Sequence, residues 1–120
     1  MAEANSLGRA GEQAAADYLR RRDYKILARN KTVAGVEFDI IAFKDETVCF
    51  VEVKTRGSDQ SGLPEEFVDH RKIQRLIRGA KVYYEKKRFE GCKARFDVIS
   101  VLWENNRFTI DHIEHAFEEY

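Results

Sequence analysis

Residues 48–56, VCFVEVKTR, most constrain what this chain can fold into. Val48, Phe50, Val51 and Val53 are β-branched and aromatic types that suit a pleated, half-buried surface. Glu52 and Lys54 lie two apart, so a period-2 strand places both on the face that begins with Val48 and Phe50. Cys49, Val51 and Val53 share the other face. A carboxylate and an ammonium ending an apolar face have two readings. Either this is an edge strand whose end reaches water, or it is a core strand that ends in a functional site.

The flanking pattern supplies the rest of the order. Ser6 can cap a first helix in which Leu7, Ala10, Ala14, Tyr18 and Leu19 recur at spacings of three or four, predicting a helix to about Arg22. YKILARN (24–30) and VEFDIIAF (36–43) read as strands, Asp45-Glu46 as a turn, and VCFVEVK as the third strand. GSDQSGLP (57–64), with the only proline, Pro64, reads as a loop. A second helix is expected over about 69–87, with Ile73, Leu76, Ile77, Ala80, Tyr83 and Tyr84 as its apolar stripe. ARFDVISVLW (94–103), a turn at Glu104-Asn105-Asn106, and RFTIDHI complete a hairpin, with a short helix as an option at the end. The predicted order is α-β-β-β-α-β-β, an α/β fold with a mixed sheet flanked by helices. Its first three strands are antiparallel neighbours, and the strand after the second helix crosses over to lie parallel.

At 120 residues the chain is expected to form one domain spanning 1–120. A hydrophobic content of 43% supports a packed core, while 35% charged residues and a mean hydropathy of −0.56 point to a soluble protein, and the cysteine usage to a reducing, cytoplasmic setting. No apolar run approaches a membrane span, and Cys49 and Cys92 form neither a metal-spacing pattern nor a disulfide framework. Cys49 reads as a small buried hydrophobe. Net charge is zero, which does not favour a strong nucleic-acid binder, but charge is segregated along the chain. Residues 71–88 hold eight Lys or Arg against Glu85 alone, between acidic flanks at 57–70 and 104–120. A solvated surface helix has the same appearance.

The hairpin formed by 36–43 and 47–54 is where chemistry can arise. A turn centred on Asp45-Glu46 sets Asp39 opposite Glu52 and Glu37 opposite Lys54, provided no bulge intervenes. Facing carboxylates need a compensating cation, and paired oxygen donors are what Mg²⁺ uses while keeping positions for water and phosphate. Lys54 would then orient or deprotonate a water or stabilise transition-state charge. The competing reading for Glu52, Lys54 and Glu37 is a surface ion network of small energetic weight. Asp39 resists that reading, because it interrupts an apolar run at a core-like position.

GRAGEQAAADYL (8–19), EFDIIA (37–42), VCFVEVKTR (48–56), the segment Lys72–Leu76 and RFDVISV (95–101) together resemble the YraN-like family of small uncharacterised bacterial proteins. That family is similar to the restriction-endonuclease-like (PD-(D/E)XK) superfamily, and particularly to archaeal Holliday-junction resolvases. The resemblance covers nearly the whole chain. It implies a restriction-endonuclease-like fold in which Asp39, Glu52 and Lys54 take the D…ExK positions and Glu12 the first-helix glutamate. By the same resemblance, Asp39, Glu52, the carbonyl of Val53 and Glu12 would hold Mg²⁺ or Mn²⁺, and Lys54 would assist the attacking water. From the residues alone Glu12 is equally a solvent-facing helical acid. Glu37 reads as a neighbour of the metal ligands rather than a ligand. In one departure, Val36 stands where the family has glycine and Gly35 comes one residue earlier, which bears on the local backbone.

Arg56, Arg71, Lys72, Arg75 and Arg9 are candidate phosphate contacts, and solvated helix charge is the alternative for each. Tyr83 and Tyr84 read as core or dimer packing. His70, His112 and His115 show no ligand grouping, and His112 and His115 read as surface residues of the tail. The resulting expectation is a metal-dependent endonuclease acting on structured or branched DNA. A nucleic-acid-binding module of the same fold with little cleavage is the alternative, and a protein-interaction domain is a third class. The resolvase resemblance suggests a homodimer, for which the sequence shows no interface motif.

Overall fold

The computed structural model describes residues 2–57 and 70–116, the side chains of 2–5 excepted. Within them the element order is α1 (Ala2–Arg21), β1 (Lys25–Val33), β2 (Val36–Lys44), β3 (Thr47–Gly57), α2 (His70–Lys86), β4 (Lys93–Glu104) and β5 (Arg107–Ile113). This is the expected α-β-β-β-α-β-β order. The loop expected at 57–64 beyond Gly57, and a terminal helix past Ala116, lie outside the described residues. Ser6 lies inside α1 and does not cap it, because the helix already runs from Ala2. The alanine-rich sequence sustains the extra turn.

Both helices stop by the same device. Asp23 has φ 71°, and Tyr24 N–H donates to Leu19 C=O while Asp23 N–H donates to Arg20 C=O, each at 3.0 Å. Arg88 has φ 57°, with Phe89 N–H on Tyr84 C=O and Arg88 N–H on Glu85 C=O, each at 3.2 Å. These are the paired bonds of a Schellman stop, and the rings of Tyr84 and Phe89 supply the accompanying apolar contact, 6.2 Å apart. The pattern places both helix ends within a residue of Arg21 and Lys86, but with no glycine at 23 or 88 it does not show that they are left-handed stops.

The strands form one sheet in the order β1-β2-β3-β4-β5, with β3–β4 parallel and the other pairs antiparallel. Three two-residue turns join the antiparallel neighbours. Ala34-Gly35, Asp45-Glu46 and Asn105-Asn106 all have positive φ at both residues, as a type I′ hairpin turn requires. Gly35 is thus a turn residue with φ 78°, which accounts for its displacement from the strand.

VCFVEVKTR sits in the central strand, so the edge-strand reading does not hold. Its faces divide as the period-2 pattern predicts. Cys49, Val51 and Val53 pack with Ala15, Ala16 and Leu19 of α1, with Ile40 and Ala42 of β2, and with Ile99 and Val101 of β4. Val48 and Phe50 pack with Leu76, Ala80 and Tyr83 of α2. The α2 side is aromatic, with Phe50 contacting Phe38, Phe96 and Tyr83 at centroid distances of 5.2, 5.5 and 6.0 Å. On the other face α1 presents Ala15 and Ala16, small residues that let the helix lie close. At Gly11 a Cβ would fall 2.0 Å from Thr55 Oγ1, so glycine is what allows α1 onto the end of β3.

Candidate active site

The β2–β3 ladder follows the expected register from Lys44↔Thr47 to Ile40↔Val51 and ends there. Beyond it β2 stays paired to β1 back to Val36, and β3 stays paired to β4 out to Gly57. The sheet therefore forks at Asp39. The expected ladder pairs Asp39–Glu52 and Glu37–Lys54 do not form, and the reason is local. Asp39 Oδ2 accepts the Val53 N–H at 2.8 Å, so a side-chain oxygen takes the donor that a β2 carbonyl would have used. Glu37 is exposed and pairs instead with Thr32 of β1.

The fork still assembles the predicted constellation. Glu52 is buried, 7% exposed, with its carboxylate on the α2 face of β3. Its Oε2 contacts Lys72 Nζ of α2 directly and lies 3.8 Å from Lys54 Nζ. Glu52 and Lys54 do form an ion pair, extended to Lys72 of α2; the carboxylate is buried while the two lysine side chains are 31% and 30% exposed. Burial pushes the Asp39 carboxyl up from 3.8 to about 7, with the charges of Glu52 and Glu12 adding and the Val53 N–H and Lys72 opposing. Glu12 is thus close enough to be felt at Asp39, held there by the close approach of α1 at Gly11. A desolvated carboxylate raised by two like charges is a place where a cation is favoured.

Hard oxygen donors of this kind suit Mg²⁺ or Mn²⁺. Among the described residues no three His, Cys, Asp or Glu side chains converge as a ready metal cage. The residues fit an ion held by the Asp39 and Glu52 carboxylates, with waters or phosphate oxygens completing its shell, as Mg²⁺ prefers.

The basic candidates divide. Lys72 points at Glu52, while Arg71 and Arg75 are exposed on the same helix. Arg56, two residues beyond Lys54, is half-buried, and Arg9 is exposed on α1 one turn before Glu12. Tyr83 is in the core, and Cys49 is fully buried with its thiol pushed up to about 12 by burial first and the charge of Asp97 second. The Tyr84 hydroxyl donates to Cys92 C=O at 2.7 Å. No described helix is long and apolar enough to cross a membrane.

A second polar centre escaped the sequence. Asp97 of β4 is completely buried and accepts both Arg95 Nε and Nη2 at 2.9 Å, His112 Nε2 at 2.7 Å and the His115 N–H at 3.3 Å. Arg95 Nη2 also donates to the Tyr24 hydroxyl at 2.6 Å, and the Tyr18 hydroxyl lies 3.3 Å from His112 Nδ1. Burial alone would raise the Asp97 carboxyl; the bonds from His112 and Arg95 overcome it and hold the group below its ordinary 3.8. His112 is therefore no surface residue of the tail, since its side chain is 6% exposed. His115 is exposed, and its main chain does the bonding. The available signal was that Asp97 interrupts RFDVISV as Asp39 interrupts EFDIIA. The partners come from α1, β4 and β5, which only folding brings together.

A model of the uncharacterised protein family UPF0102 matches residues 11–101, a span that takes in Glu12, Asp39, Glu52, Lys54, Lys72 and Asp97. A UPF0102 protein of Bacteroides thetaiotaomicron is 45% identical over 117 residues, covering 98% of this chain and 96% of its own. One from Flavobacterium johnsoniae is 42% identical over the full length of both chains, and one from Persephonella marina is 42% identical over 92% of each. With the family model spanning both elements of the fork and relatives matching end to end, this chain belongs to the UPF0102 family.

Proposed function

We propose that the protein is a metal-dependent endonuclease that hydrolyses phosphodiesters in structured or branched DNA, of the restriction-endonuclease-like type. The observation that carries the reading is the fork: Asp39, Glu52, Lys54 and Lys72 meet where β2 leaves β3, on the central strand and beneath α2. Asp39 and Glu52 are the residues that would hold Mg²⁺ or Mn²⁺, with Glu12 and the Val53 carbonyl as further oxygens. Bound there, such an ion would supply Lewis acidity toward a phosphate oxygen and toward the attacking water.

The remaining work belongs to the chain. The Val53 N–H fixes the Asp39 carboxylate, so its orientation is set by main chain. Lys54 positions the attacking water and offsets charge that develops on the phosphoryl group. Arg9, Arg56, Arg71 and Arg75 bear on the backbone of a duplex and place it without reading sequence. A dimer would present two such sites to the two strands of a junction.

The test is cleavage of labelled duplex, single-stranded and four-way-junction DNA, with Mg²⁺ or Mn²⁺ against EDTA. Cutting that needs metal and disappears in Asp39→Asn and Lys54→Met supports the reading. Cutting that survives in those variants sinks it. Metal-independent binding with no cutting of any substrate would assign the fold to a nucleic-acid-binding module instead.

A further inference from the structure

Lys72 was expected on the DNA-facing surface, yet its ammonium lies on Glu52 Oε2, closer than Lys54 at 3.8 Å. The contact crosses from α2 to the central strand and is part-buried, so water screens it weakly. Lys72 also sits in the first turn of α2, which contains no acidic residue. A cation there opposes the positive end of the helix dipole. Glu52 supplies a counter-charge to Lys72 at this position, and Asp39 also feels the Lys72 charge.

An ion held by Glu52 would share its carboxylate with this ammonium, and two cations on one carboxylate repel each other where water screens them weakly. We propose that Lys72 is a latch that competes with the divalent ion for Glu52. Metal binding displaces the ammonium from Glu52, and the displaced Lys72, at the positive end of α2 beside exposed Arg71 and Arg75, then takes a substrate phosphate. The latch rests on the reading of Asp39 and Glu52 as metal ligands. By linkage the effect is reciprocal: metal strengthens phosphate binding, and phosphate strengthens metal binding by the same factor. Lys72 is thereby a positioning residue that couples metal to substrate.

Calorimetric titration of the full chain with Mn²⁺ tests this through affinity rather than turnover. Lys72→Met should bind Mn²⁺ about tenfold more tightly than wild type, because a competing like charge is gone. Arg71→Met, on the same turn but exposed, should change the affinity less than about twofold, as a screened surface charge does. A short phosphorothioate duplex should tighten Mn²⁺ binding to wild type by a larger factor than it does in Lys72→Met, where only the direct metal–phosphate contact remains. Should Lys72→Met fail to fold, acylation of wild-type lysines followed by mass spectrometry gives an independent readout. Mn²⁺ should raise labelling of Lys72 relative to exposed Lys25. Equal Mn²⁺ affinity in wild type and Lys72→Met, or Lys72 labelling that Mn²⁺ leaves unchanged, overturns the latch alone. Absence of Mn²⁺ binding in every chain overturns the metal reading and the latch with it.

Discussion

The Asp39 carboxylate accepts the main-chain N–H of Val53 at 2.8 Å, between Glu52 and Lys54 in the chain. That single bond ends the β2–β3 ladder, orients one carboxylate and brings it against a second. Replacing Asp39 with Asn keeps an acceptor for Val53 while removing the charge that burial, Glu52 and Glu12 disfavour. Asp39→Asn should stabilise the metal-free protein by about 1–2 kcal/mol at neutral pH, a discounted share of the shift. It should also abolish any rise of the melting temperature with Mn²⁺. Urea and thermal melts with and without Mn²⁺ measure both effects. A wild-type Mn²⁺ shift retained in the variant would remove Asp39 from the metal site.

The approach of α1 to β3 depends on Gly11, where a Cβ would meet Thr55 Oγ1 at 2.0 Å and Cγ2 at 2.6 Å. Gly11→Ala should cost about 1–3 kcal/mol by overpacking, despite alanine's better helix propensity. Thr55→Gly in the same chain should recover part of the loss. Denaturant unfolding of the two single variants and the double variant gives the coupling. A neutral Gly11→Ala would mean that α1 does not lie where Glu12 can influence Asp39.

Asp97 should govern stability on the acid side. Its folded pKa lies below its ordinary 3.8, so the ionised form is favoured by folding. The stabilisation is fully present above 3.8 and is lost as pH falls through the lower folded value. Asp97→Asn should therefore be less stable than wild type at pH 7, by about 3 kcal/mol or more for a broken buried ion pair. The difference should shrink steadily below about pH 4. Urea titrations of both proteins over this range test it. A difference independent of pH would mean that the Arg95 and His112 bonds do not depend on the carboxylate charge.

The helix stops make an opposite prediction. Asp23 holds a left-handed conformation, φ 71°, at a position where glycine bears no Cβ penalty. Asp23→Gly should stabilise the protein by about 0.5–1 kcal/mol, read from the denaturation midpoint. A loss of stability would show that the aspartate side chain supports the turn.

Hydrophobic period, turn residues and charge placement were enough to order the elements and to divide β3 into its two faces. They also singled out Asp39, Glu52 and Lys54, because a charge inside an apolar strand is visible without coordinates. A Schellman stop at Asp23 or Arg88 is not visible, since neither residue is the glycine that usually marks one. Nor is the fork, because extending the Ile40↔Val51 register by one residue assumes a main-chain partner where Asp39 places a side chain. Lys72 looked like one more cation in a basic helix, and only the packing of α2 on β3 turned it to Glu52. His112 looked exposed for the same reason: its partners Asp97, on β4, and Tyr18, on α1, lie far away in sequence. Local order along this chain follows from short-range pattern. Which charges are buried together depends on long-range contacts between elements, and those exist only once the sheet and its two helices have closed.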